Sequence, residues 1–409
     1  MTSSTHERAL LVGVYASKRD RAEQEFSLQE LQRLATTAGV SVVSAGLHEL
    51  RSIHPPTYLG KGKVEMLASE IKSQKIDVVI FDEDLSPSQT RNLEKEFGAK
   101  VIDRTGIILD IFAQRAQTQE GKIQVELAQL EYLLPKLIGR GGELSQLGGG
   151  IGTRGPGETR LELDRRKAKE RLTFLKHELK KVRVNRELHR KQRKHQSISL
   201  AALVGYTNAG KSTLMNRLTE AHVLVEDKLF ATLDPTVRRL KLPSGREILL
   251  SDTVGFIHKL PHELIDAFRA TFEEVGAADL LIHLIDISHP HFKHQIKTVD
   301  EVLHELNLHH KPTLRVFNKA DQVQVDEKNT CLISAKTGQG VDGLLQVIDK
   351  MLSVRFHPMS LLLPYQAGAE LSYLYKTSKI LLRKDLSKGI LLEVEGDEVT
   401  FNKFKKYAR

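Results

Sequence analysis

The sequence predicts an α/β protein in which small, mostly parallel sheets are covered by helices, with a long helical segment between two of its parts. Three observations predict this class. Short apolar runs alternate with helical stretches near the amino terminus. A strand, a glycine-rich loop and a helix follow one another at 198–216. Between these regions, leucines recur at steps of three and four on both sides of a glycine-rich stretch.

The first 117 residues predict a small parallel α/β domain. Helical stretches such as 24–38 and 64–73 separate short runs with the length of buried strands. Strands that alternate with helices form parallel sheets, because each helix returns the chain to the start of the next strand. The apolar runs lie at 9–15, 42–44, 78–81 and 101–102.

Residues 118–196 predict a long antiparallel helical hairpin, because apolar seams of this kind bury one helix against another. The tip of the hairpin, 139–157, contains nine glycines together with Arg140 and Arg154. The seam of the first helix consists of Leu127, Leu130, Leu134 and Leu137. The seam of the second consists of Leu161, Ala168, Leu172, Leu175, Leu179 and Val182.

The positive charge of the chain is concentrated in this hairpin. The formal net charge is +9, and residues 160–196 alone hold 15 Lys+Arg against 5 Asp+Glu, a net of +10. A basic helical arm with an adaptable glycine- and arginine-rich tip suits the phosphates of RNA. A solvated charged face and a flexible linker are the alternative interpretations of the helix and the tip.

The most informative motif is the stretch from Gly205 to Ser212, which matches G-x-x-x-x-G-K-[ST]. Bare backbone amides in such a loop surround phosphate oxygens, and the lysine reaches the outer phosphates. An apolar strand at 198–204 precedes it and a helix begins at Ser212, so the phosphates would lie at a helix N-terminus. The predicted phosphate-binding residues are Gly205, Tyr206, Thr207, Asn208, Ala209, Gly210, Lys211 and Ser212.

Two later fragments predict a magnesium and γ-phosphate site. The hydroxyls of Ser212 and Thr232 are the predicted Mg²⁺ ligands, Asp252 can hold the shell of the ion, and Gly255 can offer its backbone N–H to the γ-phosphate. The fragments comprise Phe230, Ala231, Thr232, Leu233 and Asp234, then Asp252, Thr253, Val254 and Gly255.

Two further fragments predict that the base is guanine. Guanine presents two adjacent donors, N1–H and the exocyclic amine, which the carboxylate of Asp321 can accept together. A backbone N–H of the Ser334–Lys336 turn can donate to the guanine oxygen. The fragments comprise Asn318, Lys319, Ala320 and Asp321, then Ser334, Ala335 and Lys336. Together the five fragments predict a P-loop GTPase domain over 197–355, similar to Ras-like and translation-factor GTPases.

One position departs from the Ras pattern. Phe256 follows the Asp252–Gly255 fragment, where Ras-like enzymes carry the glutamine that orients the attacking water. A phenylalanine cannot bind water, so we expect slow intrinsic hydrolysis that a partner stimulates. The alternative is that Phe256 simply packs beneath this segment, which leaves the catalytic residue unknown.

Residues 356–409 predict a small C-terminal α/β domain. Strands at 360–364 and 389–394 flank a helix at about 368–382, and the end of the chain is basic. The single cysteine excludes an intrachain disulfide and fits a reducing compartment. The first eight residues lack the form of a signal peptide, and no apolar run approaches membrane-spanning length. We expect a cytoplasmic protein without membrane insertion, with peripheral membrane association as a further option.

Several motifs resemble the signature of HflX-type GTPases, and the resemblance extends over essentially the whole chain. They are YLGKGK at 58–63, DRT at 103–105, ILDIF at 108–112, GGGIGTRGPGE at 148–158 and LELDRR at 161–166, together with FATLD and DTVGF. The resemblance implies a GTPase that binds the large (50S) ribosomal subunit and its rRNA, with Mg²⁺ and GTP or GDP bound. It also implies that the GTP form dissociates or rescues stalled or idle ribosomes under stress, and that the ribosome stimulates hydrolysis.

Two alternatives remain open at the level of sequence. A GTP-dependent switch for a protein partner would use the basic helix as a partner coil, and would bind RNA with little salt dependence. An RNA-dependent NTPase would use the N-terminal domain, for which the family resemblance implies ATP binding. The only phosphate-like piece there is Gly60–Lys63, which a lone basic turn explains more simply.

Overall fold

The computed structural model describes residues 7–137, 165–182, 184, 198–219, 229–259, 261, 264, 269–323, 331–353, 357–396 and 398–408. The chain forms two compact units. The first contains Met1–Lys181, Lys228–Phe230 and His258–Phe268; the second contains Val182–Asp227, Ala231–Ile257 and Arg269–Arg409. Two short segments of the range predicted as the GTPase domain therefore belong to the first unit.

The first unit contains a parallel four-stranded sheet in the order β2-β1-β3-β4. Its strands and helices alternate as predicted, and its core includes Leu10, Val79 and Phe81 of the two central strands. The elements are β1 (Arg8–Tyr15), α1 (Arg21–Thr37), β2 (Ser41–Glu49), α2 (Lys61–Gln74), β3 (Val78–Phe81), α3 (Pro87–Phe97), β4 (Lys100–Asp103) and α4 (Arg104–Arg115).

Side-chain caps define where two of these helices begin. Ser86 accepts a hydrogen bond from Gln89 N, while the side chain of Gln89 accepts one from Ser86 N, which is a capping box before α3. Asp103 caps α4 by accepting from Gly106 N, and the same carboxylate accepts from Tyr132 Oη (2.6 Å) and Lys136 Nζ (3.0 Å). The DRT motif at 103–105 therefore has a structural role, because Asp103 caps one helix and binds two side chains of a later segment.

The two helices of the basic segment are present where the leucine spacing predicts them. They are α5 (Gln119–Leu137) and α6 (165–182). Leu127, Leu175 and Leu179 are buried together, with Ile123, Leu130 and Leu172 packed beside them. Exposed ion pairs flank this seam, from Arg171 to Glu126 (2.6 Å) and from Lys176 to Glu131 (2.8 Å). The glycine-rich tip at 139–157, with Arg140 and Arg154, lies outside the described residues.

The second unit contains a six-stranded sheet in the order β10-β9-β8-β5-β7-β6, with β6 antiparallel to its neighbour. Both faces of this sheet are covered, so its central strands β5 and β8 are buried along their whole length. The strands are β5 (Leu200–Gly205), β6 (Thr236–Lys241), β7 (Glu247–Asp252), β8 (Leu280–Asp286), β9 (Thr313–Asn318) and β10 (Cys331–Leu332). The helices are α7 (Lys211–Thr219), α8 (Arg269–Ala277), α9 (Phe292–Glu305) and α10 (Val341–Ser353).

The C-terminal part is a three-stranded antiparallel sheet in the order β11-β13-β12. Its elements are β11 (His357–Leu363), α11 (Gly368–Thr377), β12 (Lys379–Leu386), β13 (Gly389–Gly396) and α12 (Glu398–Phe404). The sequence prediction of a helix to residue 382 is wrong: the helix ends at Thr377 and β12 follows. Pairing of β12 with β13 satisfies the backbone of this segment, and tertiary pairing of this kind overrides local helix propensity. Among the described residues, no helix is long and apolar enough to cross a membrane.

Candidate nucleotide-binding site

The predicted nucleotide residues lie at the carboxyl ends of neighbouring parallel strands. Gly205 ends β5, Asp252 ends β7, Asn318 ends β9, and Ser334 follows β10. Parallel strands end at one edge of a sheet, and this edge is where open α/β sheets bind ligands. The strand order therefore brings together four sequence fragments, of which the first and the last, at Gly205 and Ser334, lie 334 − 205 = 129 positions apart.

The loop from Gly205 to Lys211 requires glycine at its two ends. Gly205 has φ +152, and a Cβ there would lie 2.3 Å from Leu284 O. Gly210 has φ +95, and a Cβ there would lie 2.3 Å from Asn318 Nδ2. These contacts leave no room for a side chain at either position, and glycine allows the tight backbone conformation that a phosphate-binding loop needs.

Lys211 lies inside this loop. Its side chain is buried, and Nζ donates to Gly205 O (3.2 Å) and Tyr206 O (2.9 Å). Burial lowers the pKa of Lys211 to about 8, although the nearby Asp252 carboxylate acts in the opposite direction. The ammonium group is thus held in a desolvated position that a polyphosphate would stabilise.

Three oxygens are gathered as a magnesium site requires. Ser212 Oγ lies 2.8 Å from Thr232 Oγ1 and donates to Asp252 Oδ2 at 2.8 Å. Burial raises the pKa of Asp252, against the opposing effects of Lys211 and of the hydroxyl donors. Two hydroxyls and a carboxylate form an all-oxygen donor set, which is the set that Mg²⁺ prefers. The residues therefore fit the ion.

The backbone of the Asp252–Gly255 fragment approaches the phosphate loop closely. A Cβ at Gly255 would lie 2.8 Å from Thr207 Cα and 2.9 Å from Lys211 Nζ, so only glycine fits. The next residue, Phe256, donates its N–H to Gly205 O (3.1 Å) and accepts from Thr207 N (2.8 Å). Its ring is fully buried and stacks on Phe272, with ring centroids 5.6 Å apart. The packing interpretation of Phe256 describes its position, and its ring is not placed to bind water.

Asn318 links the base-binding fragments to the phosphate loop. Its Nδ2 donates to Ala209 O (2.8 Å), and its Oδ1 accepts from Ala335 N (2.9 Å). Asp321 lies in a short 3₁₀ turn (Ala320–Gln322) and is exposed, so its carboxylate is accessible to a nucleotide base. The Ala335 amide is engaged with Asn318, so the donor to the guanine oxygen remains a prediction.

Sequence reasoning missed Asp286, which supports this loop. Asp286 ends β8, and its carboxylate accepts from Lys319 Nζ at 2.7 Å and from Ser288 N at 3.0 Å. Lys319 has φ +64, a left-handed conformation that this ion pair helps to hold. A buried strand that ends in aspartate beside the other strand ends was the available signal.

Two residues near the predicted site are held by the first unit instead. Phe230, which was predicted among the nucleotide-binding residues, is buried and packs edge-on against Phe112 of α4, with ring centroids 4.8 Å apart. Lys259, three residues after Phe256, contacts acidic side chains of the same unit.

In the Gly60–Lys63 piece, Gly60 is the N-cap of α2 and the exposed Lys61 faces Glu65. A basic helix start therefore accounts for that piece.

The fold and the site define a P-loop GTPase. Family models match along the chain: "GTP-binding GTPase N-terminal" at 25–113, "GTP-binding GTPase Middle Region" at 115–193, "50S ribosome-binding GTPase" at 200–319 and "HflX C-terminal domain" at 317–400. The chain belongs to the HflX family of GTPases.

Curated relatives agree over most of the chain. GTPase HflX of Caldanaerobacter subterraneus subsp. tengcongensis is 47% identical over 392 residues, which is 95% of this chain and 91% of that protein. GTPase HflX of Escherichia coli is 44% identical over 384 residues, which is 91% of this chain and 89% of that protein. A GTP-binding protein from Sulfolobus solfataricus, solved with GDP, is 25% identical with a TM-score of 0.43, over 84% of this chain and 98% of that one.

Proposed function

We propose that the GTP form of this GTPase binds the large ribosomal subunit and dissociates or rescues stalled or idle ribosomes under stress, and that the ribosome stimulates its GTP hydrolysis. The observation that carries the proposal is the position of Phe256. The residue that follows Gly255 is fully buried and stacked on Phe272, so this side chain does not orient the attacking water. We expect a GTPase built in this way to hydrolyse GTP slowly until a partner completes the site.

In the proposed site, Ser212 and Thr232 would hold Mg²⁺, with Asp252 beside them. The ion would neutralise charge that develops on the β- and γ-phosphate oxygens. Lys211 would exchange its two backbone carbonyl partners for phosphate oxygens, and the Gly255 N–H would meet the γ-phosphate. Loss of the γ-phosphate would remove the contacts that hold Thr232 and Gly255 in place. Release of these two segments is the basis of a switch.

The partner contact is proposed for the basic hairpin. At the start of α6, Arg165, Arg166, Lys167 and Lys169 are all exposed. In sequence, residues 158–164 separate them from the glycine- and arginine-rich tip (139–157), and they lie on α6, which packs against α5. Cations arranged in this way bind RNA phosphates with an affinity that falls as salt rises. The "50S ribosome-binding GTPase" description of the matching family model supports the same partner.

The first test is GTP hydrolysis by the purified protein, alone and with purified large subunits, at two salt concentrations. We expect strong stimulation that higher salt reduces. An absence of stimulation, by a protein that binds GTP normally, would contradict the proposal and favour a switch for a protein partner.

The second test separates binding from dissociation. Intact ribosomes are incubated with the protein and a non-hydrolysable GTP analogue, and free subunits are measured by sedimentation. We expect free subunits with the analogue but not with GDP. Replacement of Arg140 and Arg154 by alanine should weaken ribosome association and spare GTP binding. Sedimentation with intact ribosomes but without dissociation would retain ribosome binding and exclude splitting.

A further inference from the structure

Lys259 extends into an acidic cluster of the N-terminal sheet. Its Nζ donates to Glu83 Oε1 (2.6 Å), Asp82 Oδ2 (2.8 Å) and Gln24 Oε1 (3.1 Å). Its backbone has φ +53, a left-handed conformation that is unfavourable for a lysine. The three contacts offset the cost of that conformation.

The acidic cluster, made of Glu30, Asp82 and Glu83, would hold a single cation, Arg104, without Lys259. Asp82 is 1% exposed and follows β3, and it also accepts from Arg104 Nη1 (2.7 Å) and Ser27 Oγ (2.6 Å). Arg104 additionally pairs with Glu30. Burial favours the neutral acid, but Arg104 and then Lys259 outweigh it, so the pKa of Asp82 lies below its usual value. Arg104 pairs with Glu30 and Asp82, and Lys259 pairs with Asp82 and Glu83, so Lys259 supplies the second cation and binds the carboxylate of Glu83.

The position of Lys259 in the sequence links this cluster to the nucleotide. Gly255, which lies against the phosphate loop, precedes Lys259 by four residues. Between them, Phe256 is bonded through its backbone to Gly205 and Thr207, and Ile257 is fully buried. The chain has little slack over this distance, because each residue spans at most about 3.6 Å. We therefore expect a displacement at Gly255 to alter the contacts of Lys259.

The other predicted γ-phosphate segment is held in the same way. Phe230, two residues before Thr232, is buried against Phe112 and also has a positive φ of 54. While the segments at Phe230 and Lys259 are held, Thr232 Oγ1 lies 2.8 Å from Ser212 Oγ, and Gly255 lies against the phosphate loop. This closed arrangement is the one that a γ-phosphate and its magnesium ion require.

We propose that Lys259 is a positioning residue for the γ-phosphate: by binding Asp82 and Glu83 it holds the segment after Gly255 in the closed arrangement, so that GTP binds more tightly than it would otherwise. By linkage, the γ-phosphate stabilises the contacts of Lys259 to the same extent. The N-terminal sheet thereby responds to the nucleotide through one ion-pair cluster.

The test compares the affinities of a non-hydrolysable GTP analogue and of GDP in the full-length protein. Lys259→Ala should lower the affinity for the analogue by about fivefold or more. It should leave the affinity for GDP unchanged, because GDP makes no γ-phosphate contact. Lys259→Arg should restore most of the difference. Glu83→Gln should reproduce part of the loss from a residue of the N-terminal sheet.

A matched control is Lys297→Ala, which removes an exposed lysine paired with Glu301 on α9 and should change neither affinity. Equal losses for the two nucleotides in Lys259→Ala, or no loss for either, would overturn the proposal. Hydrogen exchange supplies a second measurement: residues 82–85 should be better protected with the analogue than with GDP, and Lys259→Ala should remove the difference. Neither measurement uses ribosomes, so failure here is separate from failure of ribosome stimulation.

Discussion

Among the described residues, the buried ionic cluster of the N-terminal sheet and that of the nucleotide site differ in how their charges are paired. In the N-terminal cluster, Asp82 is bound by Arg104 and Lys259, and its pKa is lowered in spite of burial. In the nucleotide cluster, burial lowers the pKa of Lys211 to about 8 and raises the pKa of Asp252. In the first cluster each carboxylate is bound by a cation, whereas the second holds charged groups at a cost. Groups that are held at such a cost at a sheet edge mark a site that a charged ligand completes.

The largest expected effect follows from Lys211→Ala, which removes the cation from the nucleotide cluster. Two or three charge-assisted hydrogen bonds to phosphate are lost, so the affinity for GDP and GTP should fall by about 10²- to 10⁴-fold. The protein without nucleotide should keep its stability, because the removed amine is desolvated. Titration with a fluorescent nucleotide measures the first effect and urea unfolding the second. Unchanged nucleotide affinity would refute the P-loop assignment.

Arg104→Ala tests the N-terminal cluster. Whereas Lys211→Ala should lower nucleotide affinity, this substitution should lower stability. It leaves the buried Glu30 and Asp82 carboxylates with too little positive charge, so the N-terminal unit should lose about 3–5 kcal/mol of stability. Unfolding in urea, followed by circular dichroism, measures this loss. Arg171→Ala, which breaks an exposed pair with Glu126, should have little effect. A protein as stable as the parent after Arg104→Ala would show that the cluster is not matched as described.

Asp321→Asn sharpens the nucleotide side of the comparison at the base. The amide accepts one of the two guanine donors and opposes its own N–H₂ to the other. We expect the preference to move toward xanthine nucleotides by about 10²-fold or more, with phosphate binding retained. Competition between GDP and XDP measures the preference. If the order of affinities did not change, the Asn318–Asp321 fragment would not be reading the base.

The pH dependence of nucleotide binding should give the smallest effect. Phosphate binds the charged form of Lys211, whose pKa of about 8 in the free protein must rise in the complex. GDP affinity should therefore be constant below about pH 8 and fall as the pH rises above it, by at most about tenfold per unit. Titrations between pH 7 and 9 test this. Asp321→Asn keeps Lys211 and should show the same slope for its preferred nucleotide, and a flat profile would contradict the lowered pKa.

Much of the fold and of the site was predictable from local patterns. Strand–helix alternation predicted the N-terminal sheet, and leucine spacing predicted α5 and α6, because a buried face imposes its period on the sequence. Gly210 and Lys211 could be predicted as phosphate-loop residues because so few residue types satisfy such a loop. The helix to residue 382 was wrong because the partner of β12 is a later strand that local propensity does not include.

The sequence by itself determined that the chain binds guanine nucleotides, since each motif is a short run whose chemistry depends on adjacent residues. Only the tertiary structure decided which distant charges meet. The sequence around Lys259 does not predict its contact with Asp82, which lies 177 positions earlier. Whether such a lysine is solvated or bound depends on the fold that surrounds it, because burial and pairing are properties of three-dimensional neighbours and not of chain neighbours.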